Sequence, residues 1–582
     1  MSSRSPFAYV VSIEGPHVRL NILDAHRGQM AGHPDGISAV TEIGGLFAVD
    51  GGVRLLVLRV RSLSFAEPRE AHSKGVASTT STGEPLRHLE ATVIGTIARK
   101  SSRLSFTSNA LLSPSLGADA YPLSVEELAS VLRTEHLDGP EINLGEDIRG
   151  GGNLKCNLTQ LLSRHVAVLG STGQGKSCFT AAVLQQLLGL SGPRIVIFDI
   201  NGEYENALPL GLTGYEVKKT VLGGSDPSSK IPYYALGRHG LARLLLPSDK
   251  TQRPALSFAL EQLKRVKYST DNQGAALVDS SSIDFFDDCK PGDAARAFSA
   301  LGKLRRGEAA SASVWPHMLA LGCLIADSVC LKRDKNGKSE RDAFLYGNVA
   351  PLITRVRRCV EDPLFTAVVD VNGGGPLHGA EELDWATEGA GLCGRFFGDS
   401  ETKWKVHLID LRNVAHDIMP LVLGSLLELF AFELFRRGQG NTYPTLLVLE
   451  EAHHYLRQFS GPGEESGNSL AYERLAKEGR KFGLSLWVST QRPSEVSSTV
   501  LAQCGTWAVF RLTSEKDLAA VGSASEWIDR LELTRIAGLP RQQAVVFGSG
   551  VSMPVRVLAP TASPLPRSAD PDFSLWAKEI VK

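Results

Sequence analysis

Gly170-Ser171-Thr172-Gly173-Gln174-Gly175-Lys176-Ser177 fits the pattern G-x-x-x-x-G-K-[ST]. Glycines at these spacings let the backbone wrap closely, so that its N–H groups point at phosphates. The N-terminus of a following helix adds partial positive charge. Lys176 can then reach the β- and γ-phosphates of a nucleoside triphosphate, and the Ser177 hydroxyl can ligate Mg²⁺. The nucleotide-binding stretch is therefore read as Gly170, Thr172, Gly173, Gln174, Gly175, Lys176, Ser177 and Cys178, with ATP and Mg²⁺ as its ligands. The bland alternative is a glycine-rich turn that holds nothing. An apolar strand before the motif and a helical pattern after it argue against that.

Such a site needs an acid at a strand end. Thr445-Leu446-Leu447-Val448-Leu449 leads into Glu450-Glu451 and then Ala452-His453-His454. Consecutive strand side chains point in opposite directions, so only one glutamate need face the phosphates directly. Glu450 is assigned to the Mg²⁺ water shell and Glu451 to the attacking water as general base. Four further residues each have two readings. Asp199 ends the strand after the P-loop helix and either faces the site or caps a turn. Gln491 either orients water near the γ-phosphate or is a turn residue before Pro493. Arg480 and Arg164 are either solvated ends of elements or arginine fingers, which are worth ~10³–10⁵ in rate.

The elements that must position these residues are legible as patterns. Residues 166–169 read as a buried strand, 176–190 as a helix and 194–199 as a second buried strand. This βαβ unit implies a parallel sheet. Strand-like segments return at 406–411, 445–449, 484–489 and 507–511, and they are expected to resume that sheet. Between them, Met419–Arg437 reads as a buried amphipathic helix rather than a membrane span, being short and carrying Glu428 and Glu433. Segments 7–13, 17–22, 55–60 and 89–97 are short, aliphatic and separated in several places by glycine turns, which favours a small barrel or sandwich. A loop is expected at 78–84, a helix at 124–133 and a Gly-rich linker at 145–152. Helical spacing recurs at 255–267, 294–306, 314–331 and 342–360, with 332–342 as a charged loop. The Pro-rich tail after Pro560 reads as an extended arm.

The predicted architecture is α/β. An N-terminal β-barrel (1–140) precedes a P-loop ATPase core in two parts (150–250 and 401–558). A helical insertion (251–400) splits that core, and an arm (559–582) follows. The chain has 582 residues, 43% hydrophobic and 21% charged, which excludes wholesale disorder. Its 62 basic and 63 acidic residues give a formal charge of −1 and exclude a basic DNA coat, but not a channel with local positive charge. Arg99-Lys100 and Lys218-Lys219 are basic candidates for such a surface, or simply exposed strand ends. Eight cysteines without a C-x-x-C pair, and an N-terminus without a secretory pattern, predict a reduced, cytoplasmic chain without structural zinc or a membrane anchor.

Taken together, these residues resemble the HerA family of hexameric DNA translocases, relatives of FtsK. The resemblance runs from the β-rich N-terminus through Leu161-Leu162-Ser163-Arg164-His165 and the Phe198-to-Tyr204 segment. It continues through Leu449-Glu450-Glu451-Ala452-His453 and Lys477-Glu478-Gly479-Arg480-Lys481-Phe482-Gly483 to Ser489-Thr490-Gln491-Arg492-Pro493. It implies a RecA-like core, a homohexameric ring with ATP sites between subunits, and double-stranded DNA in a central channel. Lys176, Ser177, Glu450, Glu451, Asp199 and Gln491 then belong to one subunit's site. Arg164 looks like a residue that reaches across the interface, and Arg480 like a second site arginine, in cis or in trans. Glu450 departs from the Asp that many P-loop ATPases carry. Family members commonly act with a nuclease, and bacterial relatives with a nuclease or sirtuin-like NADase effector in anti-phage systems. The chain shows no such constellation of its own, so an effector would be a separate chain. Other readings are a scaffold that regulates an effector with ATP as a switch, and a secretion-type ATPase at a membrane.

Overall fold

The computed structural model describes residues 5–567 except 24–29, 34–35, 40, 53, 66–86, 101–102, 109–111, 134–138, 149–151, 209–216, 264–314, 316, 331, 334–338, 341, 376–382, 441–442, 458–470 and 529. The expected loop at 78–84 and helix at 294–306 lie outside the described residues, as does the arm beyond 567. The chain divides into two compact units. One comprises Met1–Leu162, Gly505–Arg511 and Ser525–Thr561, the other Ser163–Cys504, Leu512–Ala524 and Ala562–Lys582.

In the first unit, β1 (Ala8–Glu14), β2 (His17–Ile22), β3 (Leu46–Asp50), β4 (Leu55–Phe65), β5 (Arg87–Lys100), β6 (Arg103–Thr107) and β7 (Asp119–Pro122) form one antiparallel sheet. Its order is β2-β1-β7-β3-β4-β5-β6, and β2 also pairs with β5, so six strands close into a barrel. Closure removes the exposed sheet edges that short strands would otherwise present. Phe7, Val10, Leu20, Phe47, Leu58 and Leu89 fill the interior, with Phe7 and Phe47 edge to face at 5.4 Å. Helix α1 (Val125–Leu132) begins at a Ser124–Glu127 capping box, in which each side chain bonds the other residue's amide.

Residues 145–147 of the expected linker are strand instead: they close β8 (Glu141–Asp147), which pairs antiparallel with β9 (Asn153–Asn157), with a register shift between Asn143 and Gly145. A bulged hairpin needs the same glycines that a linker would show. At Gly145, φ is 140°, and an added Cβ would sit 2.5 Å from the Leu558 carbonyl. The unit also extends past the expected boundary at 140. It takes in β16 (Cys504–Phe510), β17 (Gln543–Gly548) and β18 (Val555–Leu558). β16 pairs antiparallel with β17, β17 with β18 and β18 with β8, so the 504–510 strand does not simply continue a parallel sheet.

The second unit carries the parallel sheet. Its strands are β10 (His165–Leu169), β11 (Ile195–Asp199), β12 (Val217–Val221), β13 (Val406–Asp410), β14 (Thr445–Leu449) and β15 (Leu484–Thr490). Their order is β10-β15-β14-β11-β13-β12, every pair parallel. β10, β11, β13 and β15 are buried along their whole length, as strands covered on both faces must be. The same unit contains helices α2 (Lys176–Leu188), α3 (Tyr204–Ala207), α4 (Gly237–Leu245), α5 (Gln252–Leu263), α6 (Leu319–Cys330), α7 (Ala343–Glu361), α8 (Trp385–Phe397), α9 (Met419–Arg437) and α10 (Ala471–Glu478). Helix α9 is the buried amphipathic helix read from the sequence. Its Glu433 is buried and paired with Arg436, and Glu428 accepts from the Ala471 amide. The charged stretch 332–342 is not wholly a loop, because Lys332–Arg333 and Ser339–Glu340 pair as a short antiparallel hairpin.

The tail also has a defined place. The Gln185 side chain on α2 takes the Ser563 amide and donates to the Pro564 carbonyl at 2.9 Å. Asn206 donates to the Leu565 carbonyl at 2.7 Å, and the Arg567 amide to the Glu203 carbonyl at 2.8 Å. Residues 563–567 are thus strapped across α2 and α3 of the same unit.

Candidate nucleotide site

Ligands of parallel sheets lie beyond the carboxyl ends of the strands. At that end, β10 delivers the P-loop, β15 delivers Thr490-Gln491, β14 delivers Glu450-Glu451 and β11 delivers Asp199. The strand from 484 is thus inserted between the P-loop strand and the acid strand. Gly170, Gly173 and Gly175 have φ of 155°, 72° and 114°, conformations that side chains rarely adopt. The loop curls back so far that the buried Lys176 Nζ donates to its own Gly170 and Ser171 carbonyls, at 2.8 and 3.2 Å. Burial holds the Lys176 pKa down, while Glu451, Glu450 and Glu203 pull it up. Behind the loop, Phe179 stacks on Trp487, whose indole N–H donates to Thr180, locking α2 to β15.

Glu450 is fully buried, and burial raises its pKa to about 7. The Tyr204 hydroxyl donates to Glu450 Oε1 and works against that rise. Glu451 sits in the left-handed region at φ 43°. A non-glycine residue there costs roughly 1 kcal/mol or more, a strain characteristic of functional sites. Its pKa is raised by burial and opposed by Lys176 and by the Gln491 amide. Its Oε2 is buried without a hydrogen-bond partner among the described residues. An orphaned carboxylate oxygen under the pull of Lys176 is free to accept a proton donor such as water. Gln491 is drawn into the same cluster, its side-chain oxygen accepting from the Thr172 hydroxyl of the P-loop.

Asp199 is turned away from this work. Its two carboxylate oxygens accept the Glu203 and Tyr204 amides, each at 3.0 Å, so it caps the segment that carries Tyr204. Burial lifts its pKa to about 6 despite those bonds. Asp199→Ala will strip one buried and one part-buried amide of their acceptor at ~1–3 kcal/mol each, so chemical denaturation should show a loss of ~2–6 kcal/mol. A stability near wild type would return Asp199 to a direct role at the phosphates.

Arg164 and Arg480 are not brought to the P-loop of their own chain. Arg164 precedes β10 and Arg480 precedes β15, at the amino ends of strands whose carboxyl ends hold the site. Six residues of strand separate Arg164 from Gly170, roughly 20 Å. Both side chains are exposed, without a hydrogen-bond or ion-pair partner among the described residues. Between them, buried His165 donates from Nε2 to the Ala476 carbonyl and accepts the Leu486 amide at Nδ1. Of the basic candidates, Lys218 donates to the Arg395 carbonyl, and Lys219 pairs with Glu205 and Asp410. Those lysines belong to internal networks.

Sequence reasoning passed over Tyr204, Glu203, His453 and Thr490. Tyr204 and Glu203 stood in a segment already singled out, but nothing local announces a partner 246 residues away. Among the described residues no group of three or more His, Cys, Asp or Glu could hold a metal alone. Mg²⁺ asks less, since it takes one or two protein oxygens plus phosphates and waters. Ser177 and the second oxygen of Glu450 are hard oxygen donors that fit it.

A family model described as "Helicase HerA, central domain" matches residues 142–302. The chain is 26% identical to the DNA double-strand break repair helicase HerA of Pyrococcus furiosus, covering 76% of this chain and 72% of that one. It is 22% identical to the protein of the same name from Sulfolobus acidocaldarius, covering 76% and 73%. Among solved structures, VirB4 of Thermoanaerobacter pseudethanolicus matches with a TM-score of 0.43 at 17% identity, over 74% of this chain and 99% of that one. The plasmid coupling protein TrwB matches with 0.42 at 15%, over 70% and 88%. The RecA-like character of the core rests on its own strand order and P-loop. The chain thus carries a HerA central-domain match over residues 142–302 and is similar to HerA helicases along three quarters of its length.

Proposed function

We propose that this chain is an ATP-hydrolysing motor that translocates or unwinds double-stranded DNA as a homohexameric ring. The observation that carries the reading is the convergence of Lys176, Glu450, Glu451 and Gln491 at adjacent strand ends, with one Glu451 oxygen unclaimed. In this reading Lys176 leaves its own loop carbonyls for the β- and γ-phosphates, and the P-loop amides cradle them. Mg²⁺ held through Ser177 and Glu450 would neutralise phosphate charge. Tyr204 fixes the rotamer of Glu450. Glu451 holds the attacking water and takes its proton, and Gln491 orients it with help from Thr172. The names of the HerA relatives, DNA double-strand break repair helicases, support DNA as the substrate.

On this reading the effector is a separate nuclease or sirtuin-like NADase, and the complex serves anti-phage defence or DNA end processing. No helix among the described residues is long and apolar enough to cross a membrane. Purified protein should hydrolyse ATP, and Lys176→Ala should abolish turnover. Duplex DNA should raise turnover, with an affinity that falls steeply as salt rises, because phosphate contacts release counterions. Turnover in Lys176→Ala at the wild-type rate would sink the ATPase assignment, and salt-independent binding would sink the DNA channel.

A further inference from the structure

His453 lies just past the two strand-end glutamates, and its imidazole bridges two strands. It is buried, with Nδ1 3.0 Å from the Thr490 hydroxyl oxygen and 3.3 Å from Glu451 Oε2. Thr490 is the last residue of β15 and wholly buried. Its hydroxyl also accepts the Arg492 amide at 3.0 Å, and its carbonyl accepts the Gly170 amide at 3.3 Å, the first residue of the P-loop. The next residue, Gln491, reaches Thr172 of the same loop. One imidazole thus touches the general base on one side. On the other it touches the residue that ties the P-loop to the γ-phosphate-facing glutamine.

The chemistry restricts what this histidine does. Burial, with the tilted His454 ring 4.2 Å away, pushes its pKa down to about 4, so it is neutral and not an ion-pair partner of Glu451. With Glu451 ionised, a lone pair on Nδ1 would face a carboxylate oxygen. The proton therefore belongs on Nδ1, aimed between Oε2 and the threonine hydroxyl. The approach to Oε2 falls short of a hydrogen bond, so the imidazole limits where the carboxylate can swing without consuming its acceptor.

We propose that His453 is a positioning residue: it couples Glu451 to Thr490, so that the water-activating base and the Gln491 end of β15 hold one geometry during hydrolysis. The inference rests on the ATPase reading and adds to it a residue that touches neither nucleotide nor water.

The test uses full-length protein, with steady-state ATP turnover, equilibrium binding of a fluorescent ATP analogue and thermal melting. His453→Ala should lower kcat at least tenfold, with analogue Kd within about twofold of wild type. His453→Asn, which can return a donor near the Nδ1 position, should recover much of the loss. Thr490→Val should lower kcat as well, and the His453→Ala/Thr490→Val double variant should fall no further than the worse single variant, as partners in one contact do. Wild-type kcat in His453→Ala overturns the inference. So does an additive double variant, or a loss that follows melting temperature and is not recovered by Asn. If His453→Ala does not fold, wild-type kcat in Thr490→Val overturns it alone. A wild-type chain that binds the analogue but never turns over ATP overturns the ATPase reading itself. Wild-type turnover with an unaffected His453→Ala overturns only this inference.

Discussion

Arg164→Ala will lower ATP turnover by ~10³–10⁵, the range an arginine finger commands, and leave nucleotide affinity of the chain almost unchanged. The size of the effect follows from what the guanidinium would meet. In a transition state with charge spread over the γ-phosphoryl oxygens, a planar donor that arrives from outside neutralises charge without having stabilised the bound ground state. The position of Arg164 decides in which site it does so. It lies exposed at the amino end of β10, a strand length from its own P-loop, and Arg480 lies at the same end before β15. A side chain cannot cover that distance, so any phosphate these arginines touch belongs to another copy of the chain. Mixing supplies the check. Arg164→Ala and Lys176→Ala subunits should each be inactive alone, yet mixed assemblies of the proposed ring would pair an intact P-loop with an intact arginine. Activity should return on mixing under conditions where subunits exchange. Mixtures as inactive as their components would reject action in trans. Arg480→Ala mixed with Lys176→Ala applies the same test to the second arginine.

Glu451→Gln should cost ~10²–10⁴ in kcat while ATP still binds, because the amide keeps shape and hydrogen bonding but cannot accept a proton. The unclaimed Oε2 and the pull of Lys176 on this carboxylate are the reasons to expect the loss here rather than at Glu450. Glu450 already accepts from Tyr204, and its removal should be read in metal-dependent binding. The backbone adds a companion result. At φ 43° glutamate is strained and glycine is not, so Glu451→Gly should melt no lower than wild type although it is catalytically dead. A marked fall in melting temperature would mean that the side chain is needed for the fold. Glu451→Gln also divides the motor from the ATP-switched scaffold. A ring that binds ATP, does not hydrolyse it and still fully supports its effector would have no essential motor.

Patterns repeated over a few residues were readable, and contacts between distant residues were not. The P-loop, the strand ending in Glu450-Glu451 and helix Met419–Arg437 announce themselves because apolar spacing or glycine placement is local. The stretch 145–152 misled because a bulged hairpin and a linker demand the same residue. Asp199 had two equal readings, and only the positions of the Glu203 and Tyr204 amides separate them. The bond from Thr172 to Gln491 spans 319 residues. No single sequence encodes that pairing in a window short enough to see. The return of residues 525–561 to the barrel-bearing unit is of the same kind, since β17 and β18 look like any other short strands until their partners are known.

The pairing of β10 with β15 also sets a timetable. The Arg164 carbonyl receives the Ser485 hydroxyl from 321 residues further along, and the strand between the P-loop and the acids is β15 itself. At ~5–20 residues per second, a ribosome leaves roughly 16–64 s between making the P-loop strand and making its neighbour. During that interval β10 has no β15 edge to pair with, and the phosphate cradle lacks Thr490 and Gln491. A nascent chain of this protein therefore carries an apolar strand in want of a partner for most of its synthesis, and its dependence on chaperones should be decided there rather than in the finished fold.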